Sequence, residues 1–418
     1  MTSVWEATAS VVPPAAPPLA ESVRADVAIV GAGYTGLAAA LALAERGARA
    51  IVLEAREPGF GASGRNGGQV IPGLKVDPDL LDRRFGEATT AFVGAAAEAT
   101  FALIERLQIS CGARRTGWIQ GTVKRTHRGV IAARAEQWRR RGAPVEVLDA
   151  AAMAKATGAR GFAGGWRDAR GGVLHPLDYA RGLARAAQAA GARVHGGSVV
   201  TSLARAGARW RLATAMGASI EAENVVLATN GYSDSLWPGL KQTILPARSC
   251  QIATAPLPAE LLVRILPGGE AVSDTRRIGN YFRLGPGGRL MMGGRGPFRE
   301  PSGAADYAFL REALAAFYPE AAAVPLEHCW SGRVAMTSDH LPHLHEPAPG
   351  VIAALGYNGR GVALATALGL AIGGHLVDRA DPPPFRAIRM KRLPLHGMHP
   401  IYGNWVIAYY RLRDVMEN

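Results

Sequence analysis

A glycine-rich turn between a short strand and a helix constrains the fold of this chain more than any other feature. The turn, GAGYTG at residues 31–36, follows the β-branched run 26–30 and opens the leucine- and alanine-rich segment 34–46. The run 50–53 is typical of a second buried strand. Strand, helix and strand in this order predict a βαβ unit with a parallel sheet.

Each glycine of the turn has its own physical role. Gly31 permits the tight turn, Gly33 lets the backbone approach a pyrophosphate, and Gly36 lets the helix pack closely on the strand. Glu54 ends the second strand, where a carboxylate accepts hydrogen bonds from a ribose diol and repels a 2′-phosphate. The alternative is a turn that packs and binds nothing. The full context predicts an adenine dinucleotide other than NADP, held by Gly31, Gly33, Tyr34, Thr35, Gly36, Glu54, Ala55 and Arg56.

A second glycine-rich stretch, GASGRNGGQ at residues 61–69, follows soon after Glu54. Glycines beside small polar side chains suit a backbone that lies along an extended ligand, although an ordinary flexible loop is the alternative. No second GxGxxG stands directly between a predicted strand and a predicted helix, since GFGASG at residues 59–64 belongs to this same stretch, so an enzyme with two dinucleotide sites is not expected. The contacts predicted here are Gly61, Ala62, Ser63, Asn66, Gly67, Gly68 and Gln69.

The basic charge balance of the chain does not by itself predict a nucleic-acid partner. The formal net charge is +13, but only five of the 47 basic residues are lysines, and the densest runs, 139–141 and 389–392, are short. No basic repeat alternates with aromatic residues, so arginine-rich codon usage explains the charge more simply.

Cysteine usage and hydropathy favour a cytoplasmic protein. Cys111, Cys250 and Cys329 lie far apart, without a CxxC pair, which fits a reducing compartment and no zinc knuckle. His340, His343 and His345 lie on an irregular segment, and we predict no metal site there. The N-terminus lacks the pattern of a secretory signal, and the longest apolar stretch is too short and glycine-rich to span a bilayer, so no membrane association is expected.

The order of elements predicts an α/β fold: a Rossmann-like domain with an inserted β-rich α+β domain. Residues 1–23 contain four prolines and are predicted to form an extended leader. The predicted dinucleotide domain comprises 24–84, 146–236 and 326–380, the predicted substrate domain comprises 85–145 and 237–325, and 381–418 form a C-terminal appendage.

Seven collinear motifs span nearly the whole chain: Ser3–Thr8, the dinucleotide motif Gly31–Arg56, Gly61–Gly68, Ala228–Tyr232, Trp330–Gly332, Thr337–Asp339 and Gly356–Val362. In these motifs the chain resembles the flavin-dependent D-amino-acid/glycine oxidase superfamily, and most closely its γ-glutamylputrescine oxidoreductase-like branch. The resemblance implies the two-domain architecture of D-amino-acid oxidase and glutathione reductase, with FAD buried and its ring at the domain interface.

The activity that the resemblance implies is oxidation of a primary or secondary amine. The α-carbon delivers a hydride to flavin N5, the imine is hydrolysed, and O2 reoxidises the flavin to give H2O2; no protein base is required. One alternative is a membrane-associated D-amino-acid-type dehydrogenase that reduces a quinone, held by an interfacial helix within Ile401–Val415. Another is an RNA-associated flavoprotein. Sarcosine-oxidase-like members use a lysine beside the flavin to activate oxygen. The matching strand here has no lysine, so the enzyme could be an oxidase or a dehydrogenase, and we prefer an oxidase.

The resemblance also implies further contacts. The helix that begins near Val362 directs its positive N-terminal end at the flavin pyrimidine, and Arg360 either adds to this charge or is solvated. The implied cofactor contacts are Val200, Thr229, Asn230, Gly231, Gly332, Gly356, Asn358, Gly359, Arg360, Gly361 and Val362. The implied substrate contacts are Tyr281, Arg283, Trp330 and Tyr357.

Two of these expectations are specific. Arg283, two residues after Tyr281 on one strand face, either clamps a substrate carboxylate or pairs with a surface acid. Some relatives attach FAD through a cysteine close before the Thr-x-Asp motif, whereas here Cys329 lies on the far side of Trp330. We therefore expect noncovalent FAD.

Overall fold

The computed structural model describes residues 2–379 and 382–416, whose strands form two eight-stranded sheets and one two-stranded sheet. The helices are α1 (Val4–Thr8), α2 (Tyr34–Ala44), α3 (Ala62–Arg65), α4 (Pro78–Phe85), α5 (Glu87–Arg106), α6 (Arg128–Arg140), α7 (Ala150–Thr157), α8 (Pro176–Ala189), α9 (Ala259–Leu262), α10 (Ala308–Phe317), α11 (Gly361–Val377) and α12 (His399–Met416). The strands are β1 (Val23–Val30), β2 (Ala50–Leu53), β3 (Gln69–Val70), β4 (Trp118–Thr122), β5 (Val145–Asp149), β6 (Gly164–Asp168), β7 (Gly172–Val173), β8 (Arg193–His195), β9 (Val200–Ala206), β10 (Arg209–Thr214), β11 (Ser219–Leu227), β12 (Leu245–Pro256), β13 (Ala271–Asp274), β14 (Asn280–Leu284), β15 (Arg289–Arg295), β16 (Leu326–Met336), β17 (His343–Ala348) and β18 (Val351–Leu355).

The first sheet, in the order β17-β18-β11-β1-β2-β8, defines a parallel-sheet domain. β1 pairs in parallel with both β2 and β11, and β2 with β8. Every residue of β2 is buried, as expected for a strand covered on both faces. The predicted βαβ unit is therefore confirmed.

Helices α2, α5, α8 and α11 share one apolar core with this sheet. Every residue of α2 is buried, and α11 crosses it so closely that a Cβ atom at Gly369 would lie 2.4 Å from the Thr35 carbonyl oxygen. The opposite face of the sheet packs against Trp210 and Leu212 of the β9–β10 hairpin. The sheet edge after β1 and β2 is thus held rigidly between two apolar layers.

The second sheet, in the order β16-β12-β15-β14-β13-β4-β6-β5, defines an antiparallel-sheet domain. Only the β13–β4 pair in it is parallel. Along β14, Phe282 and Leu284 face a core shared with Phe162 and Phe317, so the intervening residues face the opposite side. That opposite side is turned toward the parallel-sheet domain.

The sheets correct the predicted domain boundaries. β5, β6 and β16 belong to the antiparallel sheet, although residues 146–236 and 326–380 were assigned to the dinucleotide domain. Helix α5 belongs to the core of the parallel-sheet domain, although 85–145 were assigned to the substrate domain. The chain crosses between the domains more often than the motif spacing indicated, because strands of both sheets alternate along it.

The leader is not extended throughout. Ser3 and Glu6 form a reciprocal capping box that begins α1, a signal that the prediction of an extended segment overlooked. Trp5 of this helix is fully buried, and its Nε1 donates a hydrogen bond of 2.8 Å to the Asn66 carbonyl oxygen. The leader is therefore part of the packed structure.

The C-terminal segment is not a separate appendage either. Phe385 is buried in the core of the parallel-sheet domain, and the Ile388 amide donates to the Leu344 carbonyl oxygen. Helix α12 docks on the antiparallel-sheet domain, where the buried Asp414 carboxylate accepts from Lys124 Nζ at 3.4 Å and from the Ile278 amide at 3.1 Å. Within the described residues, no helix is both long enough and apolar enough to cross a membrane.

Candidate functional site

A cavity of about 770 Å³ runs from the glycine-rich turn after β1 to the inner side of the antiparallel sheet. The predicted cofactor contacts that line it are Gly31, Gly33, Tyr34, Thr35, Glu54, Ala55, Arg56, Gly61, Ala62, Ser63, Asn66, Gly67, Gln69, Val200, Thr229, Asn230, Gly332, Asn358, Gly359, Arg360, Gly361 and Val362. The predicted substrate contacts that line it are Tyr281 and Tyr357. The remaining predicted contacts, Gly36, Gly68, Gly231, Gly356, Arg283 and Trp330, are not part of the lining.

The turn before α2 is built for an anion. Gly31 has a φ of +105° and donates its amide to the Leu53 carbonyl oxygen, which ties the turn to β2. A Cβ atom at Gly36 would lie 2.0 Å from the Gly31 carbonyl oxygen, so only glycine fits there. The N-cap residue Gly33 has no side chain to bond the first amides of the helix, and the positive N-terminal end of a helix favours phosphate.

Glu54 is fixed at the end of β2 by backbone amides. Its Oε2 accepts from Ala32 N at 2.8 Å and its Oε1 from Arg56 N at 3.0 Å. Burial raises the pKa of Glu54, and these amide hydrogen bonds oppose that rise. The carboxylate lines the cavity next to the glycine turn, where a ribose diol can donate to it.

The stretch 61–69 is ordered by its own side chains. Asn66 Nδ2 donates to the carbonyl oxygens of Ala62 and Ser63, and Asn66 Oδ1 accepts from the Gly68 amide. Ser63 Oγ accepts from the Tyr34 amide at 3.0 Å, which links the stretch to the start of α2. The alternative of an ordinary flexible loop therefore does not describe this segment.

The late glycine-rich motif joins β18 to α11. Asn358 has a φ of +52°, and its buried Oδ1 accepts from the Thr337 amide at 3.0 Å, while its Nδ2 donates to the Leu341 carbonyl oxygen. The Gly356 amide donates to Asn230 Oδ1. These contacts hold the turn so that the N-terminal end of α11, at Gly361, faces the cavity.

Arg360 precedes α11 and is not solvated, contrary to one of the two expectations for it. The residue is 6% exposed, and its guanidinium lies 4.5 Å from the ring centre of Trp118. Burial, and the nearby charge of Arg134, lower its pKa to about 9. Among the described residues, neither Nε nor Nη1 of Arg360 has a hydrogen-bond partner.

The structure does not support the carboxylate clamp predicted for Arg283. Its Nη1 donates to the carbonyl oxygens of Gly68 at 2.7 Å and Leu174 at 2.8 Å, and its Nε donates to that of Leu284. Trp330 has a similar structural role, because its Nε1 donates to the Arg65 carbonyl oxygen at 3.0 Å. Both side chains therefore donate hydrogen bonds to backbone carbonyl oxygens of the glycine-rich stretch 61–69.

Several cavity residues were missed by the sequence analysis. Lys75, Gln120, Arg134, Asp274, Asn280 and Arg295 line the end of the cavity formed by the antiparallel sheet. They come from four separate parts of the chain, and no motif spacing connects them. The rarity of lysine was the one available signal, since Lys75 is one of only five.

The three neighbouring histidines have other partners. His343 Nε2 lies 3.0 Å from Asp339 Oδ1, and His345 Nδ1 lies 2.7 Å from the Ile388 carbonyl oxygen. Within residues 2–379 and 382–416, no three His, Cys, Asp or Glu side chains are grouped as metal ligands.

The cavity fits an extended dinucleotide, with the N-terminal end of α2, a fixed ribose acceptor and the N-terminal end of α11 along one channel. Residues 26–373 match the sequence profile of the family described as FAD dependent oxidoreductase, DAO. The chain belongs to this family, and it is an FAD-dependent oxidoreductase.

Curated relatives cover most of the chain. It is 33% identical over 374 residues to the probable oxidoreductase OrdL of Haemophilus influenzae, which covers 87% of this chain and 84% of that protein. It is 31% identical over 413 residues to γ-glutamylputrescine oxidoreductase of Escherichia coli, with 95% and 94% covered.

Solved structures share the fold. The crystal structure of glycine oxidase from Geobacillus kaustophilus superposes with a TM-score of 0.75 at 25% identity, over 88% of this chain and 99% of that one. L-proline dehydrogenase from P. horikoshii shares the fold with a TM-score of 0.71 at 17% identity, over 93% and 99% of the two chains. The expected two-domain FAD-binding architecture is confirmed.

Proposed function

We propose that this enzyme oxidises a primary or secondary amine, either a γ-glutamylputrescine-like amine or an amino acid, with O2 as the electron acceptor. The observation that carries the proposal is the continuity of the cavity: the residues expected to hold FAD and the polar inner side of β14 and β15 line one space. The names of two relatives, γ-glutamylputrescine oxidoreductase and glycine oxidase, support the substrate class.

Bound FAD would supply the two-electron chemistry, in which the carbon next to the amine nitrogen would lose a hydride and O2 would be reduced to H2O2. The imine product is then hydrolysed by water. The neutral amine loses its hydride without a protein base, so we assign no general base to this chain.

The chain's own residues hold and polarise the reactants. The α2 N-terminus and the fixed Glu54 carboxylate would bind the pyrophosphate and the ribose, respectively. The N-terminal end of α11, at Gly361 and Val362, adds a positive partial charge to the cavity wall, which favours any group that becomes negative on reduction. The half-buried Tyr281 ring, whose hydroxyl bonds to Ser249, would form part of the substrate wall.

The test is an anaerobic reduction screen of the purified holoenzyme. Polyamines, γ-glutamyl amines, D-amino acids and N-methyl amino acids are added separately, and bleaching of the flavin absorption identifies the substrate class. Air is then readmitted, and fast recovery of the absorption with one H2O2 per turnover supports an oxidase. Absence of bleaching with every amine would overturn the proposal, and slow recovery would overturn the assignment of O2.

A quinone is the second candidate acceptor, and the surface of α12 favours it. Ile401, Trp405 and Tyr409 recur on one face of this helix and are 61%, 75% and 54% exposed. Exposed aromatic residues beside basic ones are typical of interfacial helices. If slow reoxidation by O2 accompanies fast reoxidation by a soluble quinone, and the protein floats with anionic vesicles, the dehydrogenase alternative replaces the oxidase. No feature of the described structure favours the RNA-associated alternative.

A further inference from the structure

We propose that helix α12 braces, from outside, the end of the cavity formed by the antiparallel sheet, and that its Asp414 is a positioning residue for substrate binding. The inference deepens the proposed function and rests on it, because it takes the amine of that proposal as the substrate. The match to the family profile ends at residue 373, so α12 lies outside the part of the chain that is shared with the family. Among the residues that the structure describes, α12 contributes none to the cavity lining, so it acts through its neighbours.

Four strands of the antiparallel sheet meet at the edge where α12 is docked. β13 runs parallel to β4, and β14 is antiparallel to both β13 and β15, so β4, β13 and β15 end where β14 begins. The cavity is lined here by residues within 127–134, which follow β4, by residues within 275–279, which join β13 to β14, and by Arg295, the last residue of β15. The shape of this end of the cavity therefore depends on how these segments leave one sheet edge.

Asp414 joins two of these segments at the C-terminal end of α12. Its Oδ1 accepts from Nζ of Lys124, which lies just after β4, at 3.4 Å. Its Oδ2 accepts from the Ile278 amide at 3.1 Å, and its Oδ1 lies 3.5 Å from Nη1 of the cavity-lining Arg277. One carboxylate thus connects the segment after β4 to the loop between β13 and β14.

The N-terminal half of α12 is docked on the segment that follows β15. The Phe298 amide donates to Asn404 Oδ1 at 3.2 Å, and the rings of Phe298 and His399 meet edge to face with their centres 5.6 Å apart. A Cβ atom at Gly403 would lie 2.3 Å from the Phe298 ring, so the helix approaches this segment as closely as a glycine allows. Both halves of α12 are therefore fixed to segments that form or continue the cavity wall.

The burial of the ion pair indicates that it serves geometry more than stability. Asp414 is 5% exposed and Lys124 is 3% exposed, so both charges have lost most of their water. The cost of this desolvation can exceed the attraction between the charges, and apolar residues of similar volume often hold two elements together equally well. A buried carboxylate, however, requires each of its donors at a defined position, which an apolar contact does not.

Asp414→Asn tests the positioning role. Asparagine keeps an acceptor for the Ile278 amide but removes the charge that holds Lys124 and Arg277. The holoenzyme is reduced anaerobically with γ-glutamylputrescine, or with whichever amine of the screen bleaches the flavin faster. We expect the apparent Kd for the amine to rise about 2- to 30-fold, as for residues that act on a site through others. The limiting rate of reduction at saturating amine should stay unchanged, because α12 does not reach the cavity.

Hydrogen exchange, measured by mass spectrometry on the holoenzyme, gives a readout that needs no amine. In Asp414→Asn the amides of 124–134 and 275–280 should exchange faster than in the wild type, because the contact that joins the two segments is weakened.

Asp149→Ala is the matched control. It removes the side-chain cap of α7 in the same domain, where Asp149 accepts from the Ala152 amide at 2.8 Å, and Asp149 does not line the cavity. This variant should melt at a lower temperature and keep both the Kd for the amine and the exchange of the two segments. If Asp414→Asn does not fold, Gly403→Ala takes its place, since it displaces α12 from Phe298 and should also raise the Kd.

Two results would overturn the positioning role: a wild-type Kd for the amine in both Asp414→Asn and Gly403→Ala, or an equal rise of this Kd in Asp149→Ala. Unchanged exchange of both segments in Asp414→Asn would overturn the brace itself. Failure of the proposed function has a different signature, because then no amine bleaches the flavin of the wild type, while the exchange measurement still decides whether α12 is a brace.

Discussion

Arg283 Nη1 lies 2.7 Å from the Gly68 carbonyl oxygen, which joins β14 of the antiparallel-sheet domain to the glycine-rich stretch of the other domain. The same nitrogen donates to the Leu174 carbonyl oxygen. Burial, with a smaller effect of Arg114, lowers the pKa of Arg283 to about 9. The charge is thus used to hold backbone beside the cavity rather than to select a substrate.

Replacement of Arg283 should therefore act on cofactor retention. In Arg283→Met, the carbonyl oxygens of Gly68 and Leu174 lose their donor, at about 1–3 kcal/mol for each buried group. We expect a lower melting temperature and a lower flavin-to-protein ratio, with carboxylated and uncharged substrates affected equally. Arg289→Met removes a partly exposed ion pair with Glu327 from the neighbouring strand and should cost about 1 kcal/mol or less. A loss of activity with carboxylated substrates alone would instead support the carboxylate clamp.

Gly36→Ala should prevent FAD binding. The added Cβ atom would lie 2.0 Å from the Gly31 carbonyl oxygen, so either α2 or the turn must move. We expect little or no flavin in the purified protein and weak recovery when FAD is added. Gly129→Ala is the matched control, because the new methyl group has nothing within 4 Å on helix α6 and should stabilise the helix by about 0.5–1 kcal/mol. A yellow Gly36→Ala protein with normal FAD affinity would contradict the fit at this turn.

FAD should be released by acid. None of the three cysteines, Cys111, Cys250 and Cys329, lines the cavity. Burial raises the pKa of both Cys111 and Cys250 to about 12, so these thiols are also poor nucleophiles. After precipitation with acid we expect the yellow colour in the supernatant. Flavin that stays in the pellet would show covalent attachment, and a Cys329→Ser variant would then tell whether this thiol carries it.

The buried pair of Lys124 and Asp414 should hold α12 in place. Removing one partner, as in Asp414→Ala, leaves the other charge buried and is expected to cost about 3–5 kcal/mol of unfolding free energy. The double variant Lys124→Met/Asp414→Ala should be more stable than Asp414→Ala, because the buried Lys124 charge is removed together with the carboxylate that faces it. Denaturant unfolding of the four proteins in this cycle gives the coupling. Additive effects of the two changes would mean that the contact contributes nothing.

The parts of the fold that were predictable are those with local signals. The GxGxxG turn, its flanking strands and Glu54 could be located because their geometry is dictated by residues adjacent in the chain. The capping box of Ser3 and Glu6 was equally local and was overlooked. Sheet membership was harder, since β5 and β6 join the second sheet through pairing with β4, and no local pattern reports the partner of a strand.

The residues at the substrate end of the cavity could not be predicted from the sequence for the same reason. Tyr281 and Arg283 share one face of β14, but the first lines the cavity and the second is held by the backbone of another domain. Spacing specifies the face of a strand and not what lies across from it. Lys75 and Arg295 line one cavity only because the two domains fold together.

Residues near both ends of the described chain make hydrogen bonds that hold backbone beside the cavity. Near the start, Trp5 holds the Asn66 carbonyl oxygen beside the cofactor channel, and near the end, Asp414 holds the Ile278 amide next to the cavity-lining residues Arg277 and Gly279. Terminal residues are usually the first that a domain can lose to proteases. In this enzyme, trimming from either end is expected to release flavin before it yields a smaller active core, so the ends are poor sites for truncation.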